Sequence, residues 1–215
     1  MKWSLCILLL VSTVACAGSL RFYGGDSAND ADRVKIQIDD PANGYPGPLS
    51  DIGADDFTIE MWIRPANGND QGSVECKDYN FIWGNIILDR DRYEQGRSFG
   101  ISLADGRLVF SAQTADFASA TVCGTTDLRD NGWHHIAVQR RRSDGRLWIF
   151  VDGREEASGY GPRGDISYPD RGICGAPETC GDSDHYIVLG AEKHNLAAGF
   201  SGWVDEMRLS ATLRY

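Results

Sequence analysis

The chain has 215 residues, with 31 Asp and Glu against 21 Lys and Arg, for a net charge of −10. That balance argues against a general affinity for nucleic acid, whose phosphates reward clustered cations, and Arg140-Arg141-Arg142, the only basic cluster, sits beside a turn and reads as a solvated edge. Abundant glycine, aromatics in short runs and no long 3.6-residue apolar period predict an all-β chain built around one core.

Lys2, an apolar run from Leu5 to Val11 and the small-residue stretch Ala15-Cys16-Ala17 have the layout of a secretory signal. Residues 1–17 are expected to be removed, leaving one domain over 18–215. The run is much shorter than the roughly 20 apolar residues that span a bilayer, and no other stretch is a candidate. Thr13-Val14-Ala15-Cys16 partly resembles a bacterial lipobox, which would anchor the chain through Cys16; Thr13 matches that pattern poorly, so unanchored secretion is the expectation.

Residues 19–23 and 33–38 read as short strands separated by a glycine-rich loop, and 41–56 as a turn-rich passage. Phe57-Thr58-Ile59-Glu60-Met61-Trp62-Ile63-Arg64-Pro65 alternates, which places Phe57, Ile59, Met61 and Ile63 on one face, the core face. Strands are predicted over 81–88, 98–103 and 107–112, with Asp105-Gly106 turning the last two into a hairpin. A second hairpin joins Gly132-Trp133-His134-His135-Ile136-Ala137-Val138 to Arg146-Leu147-Trp148-Ile149-Phe150-Val151-Asp152-Gly153 through Ser143-Asp144-Gly145. Residues 153–184 are expected to be an elaborated surface loop, and 186–190 and 202–209 close the domain.

Beyond the leader lie four cysteines, Cys76, Cys123, Cys174 and Cys180. An even number in a secreted chain suggests disulfides, with three connectivities open. The closeness of Cys174 and Cys180 makes a small loop clip the economical choice, and Cys76 then pairs with Cys123. A zinc site is the weaker alternative, because neither pair has the two-residue spacing of a ribbon or finger.

Leu20-Arg21-Phe22-Tyr23-Gly24-Gly25, the alternating 57–65 segment, Trp133-His134-His135-Ile136-Ala137-Val138, Phe150-Val151-Asp152-Gly153 and Phe200-Ser201-Gly202-Trp203-Val204-Asp205-Glu206-Met207-Arg208-Leu209 occur in an order that resembles bacterial laminin-G-like, pentraxin-related jelly rolls of the concanavalin-A-like lectin/glucanase type. The resemblance runs from the first strand of the domain to the last and implies a two-sheet antiparallel sandwich. It also implies a structural calcium where the first loop meets the last strand. Asp205 matches the acidic position of the final motif, and Asp26, with Asn29 or Asp30, would add oxygen ligands toward the six to eight that calcium takes; Asp26 and Asp30 read equally well as turn residues. Trp62, Trp133 and Asp152-Gly153 are better explained by packing and turns than by a ligand, and His134 and His135 by hydrogen-bonded strand positions.

Sandwiches of this kind also carry glycanases, which need two carboxylates about 5 Å apart when they retain configuration. The Glu-x-Asp-x-x-Glu strand of the glycanases most similar by fold is missing, as are the alginate-lyase motifs and a Gly-x-Ser-x-Gly elbow. The leading expectation is therefore a secreted, non-catalytic recognition module for a polysaccharide or a cell-surface protein. Trp83, Tyr160, Tyr168, His185 and Asn195, in or beside loops, are the candidate sugar contacts, although each would serve equally to pin a loop. The rival expectation is a structural protein that assembles into an extracellular layer, fibre or matrix as a homo-oligomer.

Overall fold

A computed structural model describes residues 18–25, 32–38, 50–72, 76–91, 96–168, 186–193 and 198–215. Within them run β1 (Leu20–Tyr23), β2 (Val34–Gln37), β3 (Phe57–Pro65), β4 (Asn85–Arg90), β5 (Ser98–Ala104), β6 (Arg107–Gln113), β7 (Ser119–Cys123), β8 (His134–Arg140), β9 (Arg146–Val151), β10 (Arg154–Tyr160), β11 (Tyr186–Leu189) and β12 (Ser201–Ser210). They form two antiparallel sheets of six. The front sheet has the order β1-β12-β3-β8-β9-β10 and the back sheet β2-β11-β4-β5-β6-β7.

Successive side chains on a strand point to opposite faces, and the sequence uses that rule to bury one face of each sheet. Phe57, Ile59, Met61 and Ile63 of β3, Ile136 and Val138 of β8, and Leu147, Ile149 and Val151 of β9 point into the sandwich. There they meet Phe99, Ile101, Leu103, Leu108 and Phe110 of the back sheet. Phe57 bridges the two layers, with ring centres 5.1 Å from Phe99 and 6.4 Å from Phe110, contacts that add about 1 kcal/mol each beyond area burial.

The turns follow from local chemistry. Asp105-Gly106 has φ of 46° and 74°, and Asp152-Gly153 has φ of 50° and 76°, the two left-handed residues that a type I′ hairpin demands. The β8–β9 hairpin closes through Gly145, at φ 72°.

Two arginines are buried outright. Arg90 donates to the carbonyl of Ile166 and lies 4.7 Å from the Phe99 ring centre. Arg140 donates to the carbonyls of Pro162 and Gly164, each at 2.9 Å, and burial pulls its guanidinium down to about 10, opposed by Asp165 and Asp56. Together they hold the 161–168 segment across one end of the sandwich, where Ile166 and Tyr168 join the core.

Three expectations are corrected. The 81–88 run is not one strand: a 3₁₀ turn, Asn80–Trp83, precedes β4. The turn lies over the outer face of the back sheet, where Phe81 takes the place a side chain on Gly100 would occupy, 2.0 Å from an added Cβ. Its amides are satisfied by Thr121 and Ser111 hydroxyls, and Phe81, Ile86, Ala104, Val109 and Cys123 form a small second core there. The disulfide Cys76–Cys123, Cα–Cα 5.7 Å, ties this cover to β7. Second, the expected 153–184 loop begins with a seven-residue strand, β10. Third, β7 was not anticipated. Cys174 and Cys180, the expected second disulfide, lie outside the described residues, as does the expected leader over 1–17.

Candidate ligand-binding site

The outer face of the back sheet carries the 3₁₀ turn; among the described residues, that of the front sheet is crossed by the last five residues over Thr58 and Gln139 and is exposed at Trp62. On β3 the residues between the core positions, Thr58, Glu60, Trp62 and Arg64, point outward, and register sets their neighbours: Trp62 lies opposite His135 of β8 and Asp205 of β12, and Glu60 opposite Ala137 and Arg208. Glu60, Trp62, His135, Glu206, Met207, Arg208 and Arg214 enclose a cleft of about 420 Å³.

A bulge in β12 shapes one wall. Asp205 and Arg208 are three residues apart but face Trp62 and Glu60, which are two apart. The extra residue, Glu206, sits at φ 48° and is exposed, while Met207 still packs on the core. The bulge thereby adds a carboxylate to the cleft at no loss of core register.

Glu60 is the hub. Its carboxylate lies 2.8 Å from Arg214, 3.5 Å from Arg208 and 3.7 Å from His135, and it accepts the Tyr215 hydroxyl at 2.5 Å. Burial first, then Glu60, pushes the Tyr215 phenol up to about 12. Gln139 also fixes this end of the chain: its side-chain oxygen accepts the amides of Arg214 and Tyr215 at 2.6 and 3.1 Å. Residues 211–215 thus cross the open face and supply Arg214 to the cleft.

Trp62, 38% exposed, presents its indole at the mouth, with the His135 ring set edge-on at 5.3 Å. The Asp152-Gly153 turn positions that histidine: one Asp152 oxygen accepts the His135 amide at 2.9 Å, and the other lies 2.9 Å from His134 Nδ1. Asp130 is 3.0 Å from His134 Nε2. Burial opposes protonation of His134, yet the bonds to Asp152 and Asp130 outweigh it and raise its pKa. A flat indole beside fixed donors and acceptors can stack on the apolar face of a sugar ring and hydrogen-bond its hydroxyls.

The anticipated contacts do not converge here. Trp83, 67% exposed, rides on the 3₁₀ turn over the back sheet, whereas Tyr160, 70% exposed, ends β10 of the front sheet. Tyr168 is 5% exposed and packs in the core, so it is removed from the ligand-facing set. His185 and Asn195 lie outside the described residues. Asp26 and Asp30 do as well, and Asp205 turns its carboxylate to the Glu206 amide at 2.9 Å. Among the described residues no group of three or more His, Cys, Asp or Glu side chains is arranged to hold a metal ion, so they do not by themselves make a calcium cage. Trp62, assigned from sequence to packing, is 38% exposed at the cleft. Its place between Glu60 and Arg64 on the outward face of an alternating strand was the available signal.

The architecture defines a lectin-like β-sandwich with one open face. The chain belongs to the concanavalin A-like lectin/glucanases superfamily, whose laminin-G-type family model, Laminin_G_3, matches residues 34–214. Similar solved structures include the Ruminococcus gnavus IT-sialidase CBM40 bound to α2,3-sialyllactose, at TM-score 0.56 and 12% identity over 92% of this chain and 91% of that one. Domains LG4–5 of the mouse laminin α1 chain align at TM-score 0.58 and 13% identity over 99% of this chain and 47% of that one. Botulinum neurotoxin type C, whose cell entry depends on interaction with two ganglioside molecules, aligns at TM-score 0.57 and 13% identity over 93% of this chain and 42% of that one. The chain spans less than half the length of the last two. No curated protein matches it. At these identities the structural likeness speaks for the fold.

Proposed function

We propose that the protein is a secreted, non-catalytic carbohydrate-recognition module that binds its glycan in the cleft around Trp62. The observation that carries this reading is the cleft on the outer face of the front sheet, where an exposed indole stands among Glu60, His135, Glu206, Arg208 and Arg214. The fold neighbours bound to sialyllactose or dependent on gangliosides support it at the level of the fold. Engagement of Glu60 by four partners favours an organising role over that of nucleophile or acid. The Cys76–Cys123 disulfide favours an oxidising compartment, and among the described residues no helix is long and apolar enough to cross a membrane.

The test is a glycan and polysaccharide array with the purified protein, each hit assayed for released sugar ends. Binding without product is expected, and Trp62→Ala is expected to weaken it about tenfold with a change in stability under about 1 kcal/mol, as for an exposed position. Product formation would make the protein an enzyme, and unchanged affinity in Trp62→Ala would move the site elsewhere. A structural calcium in the first loop, if it belongs to this module, lowers the melting temperature when EDTA is added; an unchanged transition removes it.

A further inference from the structure

Next to the cleft, three side chains on three strands form a stack. Arg21 of β1, Trp203 of β12 and Arg64 of β3 are paired in register and point outward, since Phe22, Val204 and Ile63 beside them are core residues. The Arg21 guanidinium carbon lies 4.2 Å from the Trp203 ring centre and that of Arg64 lies 4.9 Å from it. Arg21 also lies 4.6 Å from the ring centre of Tyr23, which is 73% exposed.

What sets this stack apart is that two arginines without an ion pair share one indole; Arg107, Arg146, Arg154 and Arg163 also have no ion pair among the described residues, but no two of them share a ring. Arg97, Arg129, Arg141, Arg142, Arg208 and Arg214 each have a carboxylate partner. Arg21 and Arg64 have none among the described residues. Arg21 donates to the carbonyls of Phe22 and Gly202, and Arg64 to the backbone and side-chain oxygens of Asn131 at 2.9 and 3.2 Å. Asp205, two residues from Trp203 on β12, and Asp32 accept the backbone amides of Glu206 and Tyr23 and ion-pair with neither arginine. Two cations thus share one indole without an ion-pair partner among the described residues, in a chain whose net charge is −10. Each guanidinium has five N–H donors, and the carbonyl and Asn131 contacts use only part of them while fixing the direction of the rest.

We propose that Arg21, Arg64, Trp203 and Tyr23 form an anion-receiving subsite adjoining the Trp62 cleft, and that the glycan ligand carries a carboxylate or sulfate placed there. The proposal rests on the carbohydrate reading of the cleft and names the class of sugar. Trp62 and Trp203 are diagonal neighbours across β3 and β12, a spacing of about 7 Å between side-chain origins, so adjacent groups of one short saccharide reach both. The planar guanidinium suits an oxyanion, and the indole between the two arginines holds them apart and oriented.

The experiment compares three polymers on one backbone: dextran, carboxymethyl-dextran and dextran sulfate, immobilised and probed with the purified protein at low and physiological salt. The wild type is expected to bind at least one charged polymer tenfold or more tightly than dextran, and the polymer preferred tells carboxylate from sulfate. In Arg21→Gln/Arg64→Gln that preference is expected to vanish, whereas Arg154→Gln/Arg163→Gln, which removes the same charge elsewhere, retains it. Thermal melts confirm that both variants are folded, and Arg21→Lys, which keeps charge but loses the planar stack, is expected to fall between. No charge preference in the wild type, its survival in the Arg21/Arg64 variant, or equal loss in the Arg154/Arg163 variant overturns the subsite. Trp62→Ala separates the two readings. If it weakens all glycan binding while the Arg21/Arg64 variant keeps its charge preference, the cleft stands and the subsite falls; if it changes nothing while the arginine variant loses the preference, the reverse holds.

Discussion

His134 is the clearest case of a residue whose environment sets its chemistry. With Asp152 on Nδ1 and Asp130 on Nε2, the protonated imidazole is favoured and its pKa is raised, and the contact with His134 lowers the Asp130 pKa. Its raised pKa contributes stability that is fully present below the unfolded value of about 6.5 and is lost as pH rises through the folded value. Both carboxylates are more than half exposed, so solvent screening keeps the effect modest. Asp89, fully buried, is raised to about 7 by desolvation and by Asp91 and acts with the same sign, so the measurement must be a difference. The stability margin of the wild type over His134→Gln, from urea melts, is expected to be largest near about pH 6 and to shrink as the pH rises through the raised folded-state pKa; a margin constant with pH would mean that His134 is not charged in the fold. The Trp-His-His string made His134 and His135 legible as strand residues. The partners Asp130 and Asp152 were not, because one precedes β8 and the other follows β9, and they meet the imidazole only when those strands pair.

Elements that alternate cleanly, such as β3 and β9, were readable because period two and core burial coincide. Those that were missed break that coincidence. β10, Arg154–Tyr160, is an edge strand with a register shift between Glu155 and Ala157, so its sequence shows no apolar alternation although Ala157 packs on the core. The apolar Phe81-Ile82-Trp83 run reads as a strand but serves as a lid, its partner surface being created by Gly100 two strands away. The lid depends on its staple. The Cys76–Cys123 bridge closes a separation of 47 residues, and Cys76→Ser/Cys123→Ser is expected to cost about 2–4 kcal/mol in urea unfolding; no loss would show that packing under Phe81 suffices. The β12 bulge is likewise invisible in sequence, since one inserted residue leaves apolar spacing that reads as noise. Deleting Glu206 restores one-to-one pairing with β3 and removes a left-handed non-glycine residue, so the melting temperature is expected to hold or rise while glycan affinity falls. An affinity unchanged by the deletion would separate the bulge from binding.

At the scale of the whole molecule, two sheets of equal size have been given unequal fates: the back sheet carries a disulfide-tied cover, and the front sheet carries tryptophans and arginines in the open. The fold class followed from motif order along the chain. The site did not, because Trp62, His135, Arg208 and Arg214 become neighbours only when β3, β8, β12 and the last residues lie side by side. The end of the sandwich is closed by buried arginines, and Arg140→Ala is expected to destabilise by about 3 kcal/mol through loss of its carbonyl bonds and packing; a change below about 1 kcal/mol would show that residues 161–168 hold without it.

The margins of the two sheets also decide how the molecule can meet its own kind. β1 and β2 are four residues long, β7 is five and carries the staple, and β10 is charged and bulged. Short, charged or kinked borders are poor templates for strand addition, so light scattering is expected to report a monomer, and growth of larger species with concentration would revive assembly through edges. A monomer would present the proposed cleft once per molecule. Tight adhesion to a polymer must then arise from repetition in the polymer, with many copies seated along it like independent beads, each able to leave without disturbing the next.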